Sequence, residues 1–312
     1  MSEKQGLKIV FMGTPEFAVA SLDALVNAGF NVVGVITAPD KPAGRGMKLT
    51  ESAVKKYAIE HGLNILQPEK LKNPAFVEEL RSLKADLQVV VAFRMLPEVV
   101  WNMPPLGTIN LHGSLLPQYR GAAPINRAVI NGEKETGVTT FKLKHEIDTG
   151  NVLLQQRFQI GENETAGEVH DRMKEIGARL LVETVKGLEA GTLQEQEQSA
   201  LAAGTELKHA PKLFTDNCTI DWNKTADEIH NLVRGLSPYP GALTTLNGKI
   251  LKVYKSSKEK TATSNKPGEH VTDGKGYLKF ACSDGYIHVH DLQLEGKKRM
   301  NVADFLRGYR FE

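Results

Sequence analysis

Between Lys8 and Ala92, short apolar runs alternate with stretches of helical periodicity, and this alternation constrains the fold more than any other feature of the chain. Lys8–Met12 reads as a strand, Gly13-Thr14-Pro15 as a turn, Phe17–Ala28 as an amphipathic helix closed by Gly29, and Val32–Thr37 as a second strand. The pattern continues with a helix near Glu51–His61, a strand at Leu63–Leu66, a helix near Pro74–Leu83 and a strand at Leu87–Ala92. Strand, helix, strand in this order implies a doubly wound, mostly parallel sheet of Rossmann-like type. Ligands of such sheets bind beyond the carboxyl ends of the strands, which places Gly13, Ala92–Pro97 and Asn110–Ser114 at the candidate site. The first turn lacks Gly-x-Gly-x-x-Gly and no acidic residue ends Val32–Thr37, so a nicotinamide dinucleotide is not the expected ligand.

Farther along, Val152–Ile160 reads as a strand and Thr165–Leu188 as a long helix with Val169, Met173, Ile176, Leu180 and Val185 on one stripe. Gly191–Leu207 is rich in Gln, Glu, Ala and Gly without either periodicity and reads as an exposed linker. Beyond it come a helix at Thr225–Gly235 and short strands at Gly241–Leu246, Lys249–Lys255, Gly276–Ala281 and Tyr286–Leu294, with turns such as Asn247-Gly248 and Asp284-Gly285. Such strands suggest a small β-barrel. A chain of 312 residues exceeds one ordinary core, so the expected division is 1–190, a linker at 191–207, and 208–312.

Asn110-Leu111-His112-Gly113-Ser114 is where chemistry concentrates. Positions two apart on a strand share a face, so Asn110 and His112 aim an amide and an imidazole at one point while Ile109 and Leu111 face a core. Asp148, in His145-Glu146-Ile147-Asp148-Thr149-Gly150 after the apolar Gly137–Leu143, supplies a carboxylate that the fold can bring against His112. Amide and imidazole so placed suit polarising a carbonyl, and with the carboxylate they make an acid/base constellation. Ser114 is a poor rival as nucleophile.

These residues resemble the folate-dependent formyltransferase family, which carries an Asn-x-His-x-Ser-Leu-Leu-Pro segment and a downstream Asp-Thr-Gly. Leu115-Leu116-Pro117-x-Tyr119-Arg120-Gly121-Ala122-Ala123-Pro124 narrows the likeness to the branch that formylates initiator methionyl-tRNA. Met12–Ala18, Lys41–Leu49, Leu236–Ala242 and Leu292–Lys298 extend it over nearly the whole chain. The resemblance implies Asn110, His112 and Asp148 as the catalytic set and 10-formyltetrahydrofolate as formyl donor, without a metal. It also implies pterin contacts from Phe93, Arg94, Met95 and Leu96 and from Ser114, Leu115, Leu116 and Pro117, and an OB-like second domain. Arg94 and Glu146 stand where the family commonly has Gly.

For tRNA, the resemblance implies that the basic, Gly-rich Asp40–Leu49 loop enters the acceptor stem, with Arg45 toward the first base pair and Lys41 and Lys48 on the backbone. Lys249, Lys252, Lys255, Lys297, Lys298, Arg299, Arg307 and Arg310 offer a positive face in the second domain that would track phosphate without reading sequence. The net charge of +2 is too small to identify such a surface by itself. His288 and His290 share a strand face but have no third ligand in reach by sequence. Two cysteines without a Cys-x-x-Cys, no apolar run of membrane length and no signal pattern at Met1–Leu7 lead us to expect a cytoplasmic protein without obligate protein partners. The competing readings are a formyltransferase on a small amine such as glycinamide ribonucleotide or a nucleotide-sugar, a hydrolase releasing formate, and a noncatalytic RNA-binding protein.

Overall fold

In the computed structural model, which describes residues 6–43, 48–202 and 204–311, the apolar runs lie side by side as strands of one sheet. They are β1 (Lys8–Gly13), β2 (Asn31–Ile36), β3 (Ile65–Leu66), β4 (Leu87–Val91), β5 (Thr108–His112), β6 (Glu135–Lys142) and β7 (Val152–Gln159), in the order β7-β6-β5-β4-β1-β2-β3. β1 pairs in parallel with both β2 and β4, and β2 with β3 and β4 with β5 are also parallel, whereas β6 runs antiparallel to β5. The near-continuous apolar runs follow from this layout: Ile9, Val10, Phe11 and Met12 of β1 are all 0% exposed, as a central strand covered on both faces requires.

The helices begin where short polar side chains can cap them. The Ser52 hydroxyl accepts from the Lys55 amide (3.0 Å) at α2 (Ala53–Glu60), and the Asn73 carbonyl oxygen from the Ala75 amide (2.9 Å) at α3 (Pro74–Ser82). α1 (Glu16–Asn27) ends before Gly29, whose positive φ lets the chain turn into β2. The long helix is α4 (Ala166–Ala190), entered through a Thr165–Glu168 capping pair. Val169, Met173, Leu180 and Val185 of its expected stripe are buried, and Ile176 is half-buried.

The Gly191–Leu207 stretch departs from the linker expected of it. Most of it is exposed, but Gln196 forms an antiparallel bridge with Val152, and Gln198 begins a short helix, α5 (Gln198–Ala202), as a buried residue. Composition cannot reveal this, because the contacts are with residues some fifty positions away.

Two compact units emerge: 1–120, 137–157 and 171–209 in one, and 121–136, 158–170 and 210–312 in the other. In the second unit α6 (Ala226–Gly235), started by a Thr225–Glu228 capping box, presents Ile229 and Val233 to an antiparallel sheet. That sheet comprises β8 (Ala242–Leu246), β9 (Lys249–Lys260), β10 (His270–Thr272), β11 (Leu278–Cys282) and β12 (Gly285–Leu294), ordered β8-β9-β12-β11-β10, with β13 (Met300–Asn301) beside β12. It is a curled half-barrel. Both cysteines, Cys218 and Cys282, lie reduced in this core, and burial pushes both thiols up.

His230 of α6 is 3% exposed, with Nδ1 3.0 Å from the Ser256 hydroxyl and Nε2 3.1 Å from the Asn163 carbonyl oxygen. Burial first, then the charges of Lys258 and Arg234, lowers its pKa from 6.5 to about 4. The unfolded chain therefore takes up this proton before the folded one does. The resulting stabilisation is complete above about pH 6.5 and lost as pH falls toward 4, by on the order of 3 kcal/mol. Denaturant unfolding of the wild type and of His230→Gln between these limits should show a shallower pH slope in the variant; parallel curves would rule the coupling out.

Candidate active site

β1 runs to one neighbour on each side, β2 and β4, so the chain's winding reverses between β1 and β4. A crevice opens at such a point. Here it is a cleft of about 550 Å³ lined by Thr14, Ala38, Pro39, Asp40, Lys41, Glu69, Ala92, Phe93 and Arg94, all just beyond strand carboxyl ends. Its wall is braced by Asp40, which accepts from Lys55 (2.5 Å) and Gln67 (2.9 Å). The Lys55 hydrogen bond, followed by that of Gln67, holds the Asp40 carboxyl below its usual range.

The Phe93–Leu96 loop follows Ala92, whose φ of +46° is left-handed. Among the described residues, the backbone N–H groups of Phe93, Arg94, Met95 and Leu96 have no hydrogen-bond partner. They are available to the edge of a flat heterocycle such as a pterin. Met95 is 72% exposed, and Leu96 is buried. The Arg94 side chain turns away to donate to the carbonyls of Glu69 (2.8 Å) and Pro68. Arg94 thus ties this loop to the one after β3.

β5 delivers the candidate catalytic pair. Asn110 lies opposite Phe141 and His112 opposite Thr139 on β6, with Ile109 and Leu111 buried on the other face. The half-buried Asn110 amide makes no side-chain hydrogen bond among the described residues. His112 is 7% exposed, and its Nε2 lies 2.9 Å from the Tyr119 carbonyl oxygen. A carbonyl only accepts, so Nε2 carries a proton. Nδ1 then points at Asp148, 3.8 Å from Oδ2. The expected approach of Asp148 to His112 is at Nδ1, while the other ring nitrogen is held by the Tyr119 carbonyl, which sequence alone does not reveal.

The Ser114–Pro117 segment is fastened from below. Thr139 Oγ1 donates to the Ser114 carbonyl (2.7 Å) and accepts from the Leu116 amide (3.1 Å), and Gln155 Nε2 donates to the Leu116 carbonyl (2.8 Å). Ser114 is 0% exposed and its hydroxyl donates to the Gln118 carbonyl (2.6 Å), which removes it as a nucleophile and as a side-chain contact. Leu116 and Pro117 are buried as well, so ligand contact from this segment falls to its backbone and to the half-buried Leu115.

Gly150 sits where any side chain would collide: a Cβ there would lie 1.5 Å from the Lys142 carbonyl oxygen. This close approach folds the Asp148 loop back onto β6. The residues that sequence reasoning missed are Tyr119 and Gln198. Gln198 donates to the Asp148 and Gly150 carbonyls and accepts from Arg120, and only the tertiary fold reveals either role.

Residues 7–185 match the formyl transferase family and residues 212–310 its formyl transferase C-terminal domain. The chain belongs to the formyl transferase family. It is 57% identical to the methionyl-tRNA formyltransferase of Phocaeicola vulgatus, covering 99% of this chain and 97% of that one. It is 56% identical to the methionyl-tRNA formyltransferase of Parabacteroides distasonis, again over 99% and 97%. The fold is also that of the N-formyltransferase from Helicobacter canadensis in complex with folinic acid and dTDP-3-aminofucose, with a TM-score of 0.69 at 22% identity over 91% of this chain and 98% of that one. Among the described residues, no helix is long and apolar enough to cross a membrane and no His, Cys, Asp and Glu cluster could hold a metal ion. His288 and His290 turn to separate partners, Glu259 and Ser257.

The basic residues are less uniform than their sequence suggests. Lys41 lines the cleft, whereas Arg45 lies outside the described residues, as does the side chain of Lys48. Residues three apart on a regular strand face opposite sides, but the β9–β12 register slips at Tyr254, so both Lys252 and Lys255 stay out of the core. Lys249, Lys297 and Lys298 are exposed. Arg299 is committed: it donates to Asp291 through Nε (2.9 Å) and Nη2 and lies 4.2 Å over the Tyr254 ring.

Proposed function

We propose that this chain transfers the formyl group of 10-formyltetrahydrofolate to the amino group of methionine on initiator methionyl-tRNA, in the cytoplasm where charged tRNA is used. The reading is carried by one arrangement: an Asn110 amide without a side-chain partner among the described residues, on the same strand face as a His112 ring whose Nδ1 faces the Asp148 carboxylate. The relatives named above, matched end to end, supply the acceptor class.

Formyl transfer to an amine forms one C–N bond and breaks another, so negative charge collects on the formyl oxygen while the attacking amine loses a proton. Asn110 donates a neutral hydrogen bond to that oxygen. His112 adds a donor when Nδ1 is protonated, and Asp148 beside it accepts the amine's proton directly or through water; a proton is returned to the departing folate nitrogen as its C–N bond breaks. Tyr119 keeps the ring from rotating out of register. The N–H groups of Phe93–Leu96, without partners among the described residues, suit the acceptor atoms on the edge of a pterin, with Phe93 and Leu96 against its faces.

Asn110→Ala and His112→Ala should each lower turnover by at least about a hundredfold, the usual loss for one oxyanion donor, with folding little changed. Asp148→Asn should be comparably damaging. The assay is single-turnover formylation of charged initiator tRNA, with free methionine as an acceptor that should fail. Near-normal turnover by His112→Ala would remove the catalytic assignment, and efficient use of a free amine would move the chain to the small-amine branch.

We further propose that Lys41, Arg45 and Lys48 approach the acceptor end of the tRNA and that Lys249, Lys252, Lys297 and Lys298 follow its backbone. Lys297→Ala and Lys298→Ala should each reduce the slope of log affinity against log salt by about one. Arg299→Ala should instead lower thermal stability, because it removes the partner of Asp291 and Tyr254. An unchanged salt slope in the lysine variants would take them out of the interface.

A further inference from the structure

The segment after α4 returns to the Asp148 loop and holds it at three successive points. Glu195 accepts from Asn151 Nδ2 (2.9 Å) and pairs with Lys142 (2.6 Å). Gln196 exchanges both backbone hydrogen bonds with Val152 (2.8 and 2.9 Å). Gln198, only 3% exposed, donates through Nε2 to the carbonyls of Asp148 and Gly150, both at 2.8 Å. Its Oε1 accepts from Arg120 Nε (2.9 Å) and Nη2 (2.7 Å). Every hydrogen-bonding site of the Gln198 amide is used, and its orientation is fixed. A flipped amide would set its oxygen against two carbonyls and its NH₂ against a guanidinium.

These bonds close a ring around His112. Arg120 directly follows Tyr119, whose carbonyl holds Nε2, and Gln198 joins Arg120 to Asp148, which faces Nδ1. Tyr119 (φ +58°) and Asp148 (φ +54°) are both left-handed, a conformation that a non-glycine residue keeps only where its surroundings impose it. Lys144–Ile147, leading into Asp148, are exposed. A buried amide that grips the Asp148 backbone is therefore well placed to decide where the carboxylate sits.

We propose that Gln198, together with Arg120, is a positioning pair that sets the separation between the two acceptors flanking the His112 ring, and so couples the Gly191–Leu207 stretch to the reaction. The proposal rests on the catalytic reading of His112 and Asp148 given above. Gln198 touches no reacting atom. Its effect should fall on turnover and pass through Asp148.

The test uses the full-length protein and two variants. Gln198→Leu removes donors and acceptor at similar size, and Gln198→Glu keeps the Arg120 partner but offers a carboxylate to two carbonyls. Each should lower kcat by about ten- to a hundredfold, the size of a displaced catalytic group, with KM for the folate within about threefold of wild type. In the Asp148→Asn background, Gln198→Leu should add less than about a twofold further loss, since residues acting through one another are not additive. Losses that multiply in the double variant, or a kcat within twofold of wild type in both single variants, would overturn the proposal. If Gln198→Leu does not fold, Gln198→Glu decides by the same comparison. The ¹⁵N shift of His112 Nδ1 gives a second readout independent of turnover. It should move in both variants, and an unmoved resonance counts against the clamp even if the wild type proves to transfer no formyl group, an outcome that would remove the functional reading alone.

Discussion

The His112 ring has an acceptor at each nitrogen, the Tyr119 carbonyl at Nε2 and the Asp148 carboxylate beyond Nδ1. A neutral imidazole has one proton for two such neighbours, and the shorter contact, to a group that can only accept, decides where it resides. The other nitrogen is left facing the Asp148 carboxylate. Fixing one end of the ring with backbone makes its chemistry directional, because a carbonyl neither titrates nor rotates.

The surrounding structure serves this constraint. The sheet order brings the carboxyl ends of β1, β4 and β5 to one edge, and left-handed residues stand at Ala92 after β4, Tyr119 after β5 and Asp148 after β6. Strain of this kind persists only where neighbouring contacts impose it. At Asp148 they include the two hydrogen bonds of Gln198 and the close return at Gly150, which admits no side chain. Beneath them, Thr139 and Gln155 satisfy the backbone of Ser114–Leu116, so the segment after His112 is held firmly although it has no regular structure.

The sheet was legible because burial on both faces leaves continuous apolar runs, as in β1. Asn110 and His112 were legible for a related reason: strand geometry alone puts them on one face. Tyr119 and Gln198 were not, because one acts through its main chain and the other from a stretch whose composition suggests solvent. Arg94 and Ser114 were expected to meet the pterin, yet their side chains bond to Glu69, Pro68 and Gln118 instead. Positions of this sort are decided by tertiary neighbours, which no local pattern encodes. The lysines of β9 make the same point, since a slip of register at Tyr254 determines which way they face.

The ring's proton is the most direct witness to this arrangement. Long-range ¹H–¹⁵N correlation spectra of the protein with labelled histidine, assigned through His112→Gln, report which nitrogen is protonated. The structure requires a proton on Nε2 of His112, which faces a group that can only accept. A resonance showing Nε2 bare and Nδ1 protonated would mean that the Tyr119 carbonyl does not hold the ring, and that Asp148 faces a nitrogen already occupied by its proton.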